Sequence, residues 1–90
     1  MRYFVYILYS ASIDKYYVGY THNPQERLEE HNAGATTSTR RGRPWKLVYI
    51  EPYESKTDAI KREIEIKKMK SRKYIENLIA KAQLVRASRS

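Results

Sequence analysis

Aromatic and β-branched positions dominate residues 2–9, with no helix breaker or cap, which predicts a strand. A period of two puts Tyr3, Val5, Ile7 and Tyr9 on one face and Phe4, Tyr6 and Leu8 on the other. Residues 16–21 repeat the pattern after a turn at Ser12-Ile13-Asp14-Lys15, so the two segments form an antiparallel hairpin. Here Tyr17 and Gly19 share one side, and Tyr16, Val18 and Tyr20 the other. A glycine inside a strand marks a bulge or a close approach to the backbone, and Gly19 is read here as a candidate substrate edge.

The next element is defined by its ends. Asn23 is an N-cap, Pro24 opens the first turn, Glu26 follows three residues after the cap, and Gly34 stands beyond the last turn. On that helix Arg27 and His31 are four residues apart and project from one face. Residues 35–44, with threonine, serine, arginine, glycine and proline, have loop composition. A third strand follows over 45–53. Ser55 and Asp58 open a helix to about Lys70, and Ile75, Leu78, Ile79 and Ala82 set a further helix over 72–86. The order is strand, strand, helix, strand, helix, helix, in a single domain over 1–86 with a frayed tail over 87–90.

Charge changes the picture. The 90 residues carry net charge +8, but residues 1–35 sum to −1 and residues 36–90 to +9. The cations cluster at Arg40, Arg41, Arg43 and Lys46 and along 56–73, Lys67 included. A merely solvated basic surface is the plain alternative; a polyanion partner is favoured, because Lys and Arg neutralise phosphates with release of counterions. With no cysteine, disulfides, thiolate zinc sites and cysteine nucleophiles are excluded, and a reducing, cytoplasmic setting is expected. The apolar stretch after Arg2 is too short and too rich in tyrosine for a secretion signal. No run approaches the roughly 18 apolar residues of a membrane span, so no membrane partner is expected.

Glu63 is out of place by pattern. On a helical wheel Ala59 and Ile66 lie about 40° and 60° to one side of it, and Ile60 and Ile64 about 60° and 100° to the other. A carboxylate set in an apolar stripe needs a cation, an ion pair or a cleft. An ordinary pair with Lys67, four residues on, meets that need as well as a site does.

Taken in order, Val5-Tyr6-Ile7-Leu8, Tyr17-Val18-Gly19-Tyr20-Thr21, Glu26-Arg27-Leu28, Glu30-His31-Asn32-Ala33-Gly34, Thr39 to Tyr49, and Arg62-Glu63 with Ile66-Lys67 resemble the GIY-YIG endonuclease superfamily. The resemblance is to its small stand-alone bacterial members, whose domain is similar to the excision-repair nuclease. It covers nearly the whole chain, and its specificity lies in the order and spacing of motifs that are weak singly. It implies an α+β fold, a three-stranded antiparallel sheet flanked by helices, carrying a hydrolytic site.

The resemblance implies that Tyr6 and Tyr17 sit side by side, that Arg27 and His31 face them, and that Glu63 binds one divalent metal, Mg²⁺ or Mn²⁺. Asn77 matches a supporting asparagine on a looser alignment, and Gly19 has a supporting place in the second motif. The implied activity is metal-dependent hydrolysis of phosphodiesters in DNA rather than RNA, directed by structure rather than sequence and suited to DNA repair, by a protein taken as a monomer. An inactive or weak nucleic-acid-binding module is the alternative. Arginine's planar fork suits phosphate oxygens. The base is open among Tyr6, Tyr17 and His31: a phenol needs neighbouring cations to lower its pKa from about 10, whereas imidazole titrates nearer neutrality. Phe4, Val5 and Val18 are conservative departures from the family motif. Tyr20 stands where some members carry a lysine, which leaves less to lower a phenol's pKa.

Overall fold

In the computed structural model, residues 2–88 are described, with side chains over 2–83. Strands β1 (Tyr3–Ser10), β2 (Lys15–Thr21) and β3 (Trp45–Tyr53) form one antiparallel sheet in the order β2-β1-β3. Three helices, α1 (Pro24–Asn32), α2 (Lys56–Met69) and α3 (Arg72–Ser88), flank it. The central strand is the most apolar one, and its Val5, Tyr6, Ile7 and Leu8 are fully buried. The α+β class and the order of elements agree with the sequence. Of the expected tail over 87–90, residues 87–88 belong to α3, and 89–90 lie outside the described residues.

The period-two alternation sorts two cores onto the two faces of the sheet. Val5, Ile7 and Val18 pack with Ala59 and Ile66 of α2 and with Ile75 and Leu78 of α3. Tyr6 and Leu8 pack with Trp45, Tyr17, Leu47 and Leu28 of α1. β3 reaches both faces through a bulge: Ile7 faces Tyr49 while Leu8 faces Leu47, so Val48 is the extra residue. The bulge turns Leu47 and Trp45 toward α1 and leaves Tyr49, Glu51 and Tyr53 toward α2.

The helix ends are made locally. Asn23 accepts from the Glu26 amide at 3.1 Å, and Ser55 from the Asp58 amide at 3.1 Å. Gly34 takes φ +84°, which favours a residue without a β-carbon. α3 is tied to the hairpin turn at its start, where Arg72 Nη2 donates to Asp14 Oδ1 at 2.6 Å.

One expectation is corrected. Residues 37–42 are not open loop but a 3₁₀ helix, Thr37–Gly42, with Thr39 and Gly42 buried. Tertiary contacts make it. Trp45 Nε1 donates to the Thr39 carbonyl at 2.7 Å, and a β-carbon at Gly42 would fall 2.3 Å from the Trp45 ring. Trp45 itself is clamped by Asn32, whose side chain accepts from its amide at 2.6 Å and donates to its carbonyl at 3.1 Å.

Candidate active site at the β2 edge

A cleft of about 440 Å³ opens where β2 forms the edge of the sheet. Its walls come from four elements: Tyr6 on β1, Tyr17 and Gly19 on β2, Arg27 on α1, and Lys56 and Glu63 on α2. The strand register explains the pairing. Tyr6 lies opposite Gly19 and Leu8 opposite Tyr17, so the two phenols are diagonal neighbours with ring centroids 6.3 Å apart. What approaches the Gly19 backbone is the Tyr6 phenol, and Gly19 reaches the cleft from beneath it.

Behind Tyr6 runs a directional chain of hydrogen bonds. Thr39 Oγ1 donates to the Thr36 carbonyl at 3.1 Å, which leaves its lone pair to accept from His31 Nδ1 at 2.8 Å. The ring proton therefore sits on Nδ1, and Nε2, 3.0 Å from Tyr6 Oη, accepts the phenol proton. His31 is 0% exposed, so it meets the cleft only through Tyr6. Burial, with the nearby Arg27 charge, pushes the His31 pKa down against a smaller pull from Glu30, and the imidazole is neutral at pH 7. Burial also raises the Tyr6 phenol to about 12, although Arg27 beside it works in the opposite direction. The condition for a free Tyr6 base, a lowered phenol pKa, is thus reversed.

Arg27 reaches the cleft held by α1 and the following loop: Nη1 donates to Glu30 at 2.8 Å and Nη2 to Thr36 Oγ1 at 3.3 Å. Glu30 raises the guanidinium pKa further, so Arg27 is a fixed cation. Glu63 has a side chain only 15% exposed and pairs with Lys67 Nζ at 3.3 Å, the i to i+4 pair that α2 allows. The wheel holds, since Ala59 and Ile66 are buried in the core while Glu63 clears its edge toward β2. Among the described residues no three His, Cys, Asp or Glu side chains gather as a metal cage. Glu63 suits instead a Mg²⁺-like ion, which keeps waters and takes one or two carboxylates together with substrate phosphate.

Comparison with known proteins decides what this arrangement belongs to. A model of the GIY-YIG catalytic domain matches residues 2–75. The chain belongs to the GIY-YIG catalytic-domain family. It is 44% identical over 78 residues to a UPF0213 protein of Natronomonas pharaonis, across 86% of this chain and 89% of that one. It is 38% identical over 80 residues to a UPF0213 protein of Clostridium perfringens, across 88% and 85%. The solution NMR structure of a UPF0213 protein from Bacillus halodurans shares its fold with a TM-score of 0.56 at 34% identity, across 89% of this chain and 84% of that one. The similarity thus spans most of each relative's own length. Family membership supports a nuclease-like function, with nucleic acid as the substrate class.

In this GIY-YIG domain the remaining candidates part company. Asn77 is exposed on α3 and does not line the cleft. Arg40 Nε donates to the Gly34 carbonyl at 2.7 Å and Arg43 Nε to the Arg40 carbonyl at 3.0 Å, so both brace the 3₁₀ segment. Lys46 is exposed on β3, at the opposite edge of the sheet. Arg41 is exposed beside Tyr17, and Lys67 lies 5.9 Å over the Tyr17 ring. Sequence reasoning missed Thr36, Thr39 and Lys56. Thr39 and Thr36 belong to a stretch whose composition reads as loop, and Lys56 would have been found by counting one helical face back seven residues from Glu63. No helix among the described residues is long and apolar enough to cross a membrane.

Proposed function

We propose that this protein is a metal-dependent endonuclease that hydrolyses phosphodiester bonds in DNA, directed by structure rather than by sequence. The observation that carries the reading is the convergence of Tyr6, Tyr17, Arg27 and Glu63 from four elements on one cleft. The cleft holds a fixed cation, a carboxylate and a phenol backed by a neutral imidazole, which are the groups phosphodiester hydrolysis uses.

Tyr6 and His31 act as one base in two parts. A phenol raised to about 12 does not ionise at rest, so its proton moves to His31 Nε2 only as the attacking water passes a proton to Tyr6 Oη. Tyr6 stays close to neutral throughout, and the charge appears on an imidazole whose Nδ1–H is held by Thr39. Arg27 meets the charge that grows on the phosphoryl oxygens, its fork kept in place by Glu30 and Thr36. Glu63 would hold the divalent ion, which when bound supplies Lewis-acid charge to the phosphate and the departing oxygen. Lys67 holds only Oε2 of Glu63, so Oε1 would be the oxygen open to such an ion, with the Lys67 ammonium kept beside Tyr17.

The test is cleavage of labelled duplex, flap, junction and single-stranded DNAs with Mg²⁺ or Mn²⁺, with an RNA strand for comparison. Cleavage that stops with chelator and falls by at least about 10²-fold in Glu63→Gln and Tyr6→Phe supports the reading. Activity unchanged in Glu63→Gln ends it. A parent that binds DNA but cuts nothing leaves the protein a binding module on the same fold.

A further inference from the structure

Two further depressions meet the candidate active site, and all three share Tyr17 as a wall. One, of about 510 Å³, lies between β2 and the α2–α3 junction and takes in Lys15 and Lys70. The other, of about 410 Å³, lies between β2 and the 3₁₀ segment and takes in Lys15 and Arg41. Through Tyr17 they adjoin the candidate cleft, so the three depressions together follow the edge strand from Lys15 to Thr21.

The cations of this surface are set apart by their place. Lys15, Arg41 and Lys70 are exposed, and among the described residues none of them enters an ion pair. Lys46, Lys61 and Lys68 are as exposed and as unpaired but line none of the three depressions, and Arg40 and Arg43, the centre of the basic cluster in the sequence, also lie outside them with their Nε donors on backbone carbonyls. The Tyr16 ring already has company, Tyr9 at 4.9 Å between ring centroids and the Arg72 guanidinium at 5.2 Å, so it offers less open surface for stacking bases. A cationic groove of this kind fits a sugar-phosphate backbone and carries no base readout.

We infer that the nucleic-acid strand carrying the scissile phosphate continues out of the cleft past Tyr17, and that Lys15, Arg41 and Lys70 neutralise its neighbouring phosphates along the β2 edge. The inference rests on the nucleic-acid reading of the cleft, and it names the surface that supplies affinity. One backbone occupies the groove, so a single strand is sufficient as partner.

The test is binding of fluorescently labelled single-stranded and duplex oligonucleotides in the presence of chelator, across a salt series, without reference to cleavage. Lys15→Gln, Arg41→Gln and Lys70→Gln are combined in one variant. Lys46→Gln, Lys61→Gln and Lys68→Gln in another remove the same charge elsewhere. The first variant is expected to lose about tenfold or more in affinity near 0.1 M salt, with the log–log salt slope shallower by about 2 to 3. The second is expected to stay within roughly threefold of the parent. Equal losses in the two variants, no loss in the first, or a loss confined to duplex overturns the inference. If the parent binds neither oligonucleotide, the nucleic-acid reading falls with it. A parent that binds through this edge yet never cuts removes the nuclease and leaves the edge standing. Matching thermal unfolding of both variants and parent shows that the fold is not the cause.

Discussion

The Tyr6 phenol occupies the space a side chain on Gly19 would need: a β-carbon there would fall 2.5 Å from Tyr6 Oη and 2.6 Å from Cζ. The ring is buried and cannot swing away freely, so the glycine sets where the phenol lies and thereby its bond to His31. Gly19→Ala is expected to cost about 1–3 kcal/mol of stability by overpacking. Its larger effect falls on cleavage, expected to drop at least tenfold because Oη is displaced from both His31 and the cleft. Thermal melts and cleavage rates measured together check this; an alanine variant as fast as the parent contradicts it.

His31 predicts a pH dependence with a definite sign. Its folded pKa lies below the ordinary value of about 6.5, so in the window beneath that value the unfolded chain binds the proton more readily. Stability is therefore flat above about pH 7 and declines as pH falls through about 6.5 toward the folded pKa. His31→Gln removes this decline. Thr39→Val, by leaving a buried Nδ1–H without an acceptor, is expected to destabilise by about 1–3 kcal/mol. Melting curves from pH 5 to 8 on the three proteins decide it, and identical curves for parent and His31→Gln refute the assignment.

These residues mark how much was legible in the chain. Caps act within four residues, so Asn23, Pro24 and Ser55 announced their helices, and the period-two alternation placed Tyr6, Tyr17 and Gly19 on one face of the sheet. His31 could be set on the face of Arg27 by helical spacing. Its burial could not, because that depends on Thr39 being folded over it by a 3₁₀ turn that Trp45 and Asn32 hold from outside. Charge was legible only in part for a similar reason. Composition shows Arg40 and Arg43 as cations, but not that their Nε donors also brace local backbone carbonyls. Lys15, isolated in the sequence, and Lys70, at the far end of the cationic run over 56–73, come together only across the β2 edge.

Arg27 separates charge from shape. Its two Nη groups are fixed by Glu30 and Thr36, which leaves the guanidinium plane little freedom. Arg27→Ala is expected to slow cleavage by about 10²-fold or more, as loss of one preorganised donor does. Arg27→Lys restores the charge without the fork and is expected to recover only part of that rate, with substrate affinity close to the parent's. Full recovery with lysine, measured under single-turnover conditions, would show that a point charge is enough.

Away from the cleft, Glu51 on β3 joins the sheet to α2 and α3. Tyr49 and Tyr53 both donate to its carboxylate, and Arg62 Nε donates at 2.8 Å while its Nη1 reaches Tyr74 Oη at 3.0 Å. Burial alone would raise the Glu51 pKa, but the two phenols and the guanidinium outweigh it and hold the carboxyl below the usual range. A lowered carboxyl pKa stabilises the fold above the unfolded value, near 4.3, and that contribution is lost as pH falls through the folded one. Glu51→Gln is expected to cost about 1.5–3 kcal/mol near pH 7, as loss of hydrogen bonds to a charged group does, and less at pH 3. Because Arg62 is left facing groups arranged for its charge, adding Arg62→Gln is expected to cost less than the two single changes summed. Denaturant unfolding of the cycle at pH 7 and pH 3 tests both points, and strict additivity at pH 7 would show that Glu51 and Arg62 act independently.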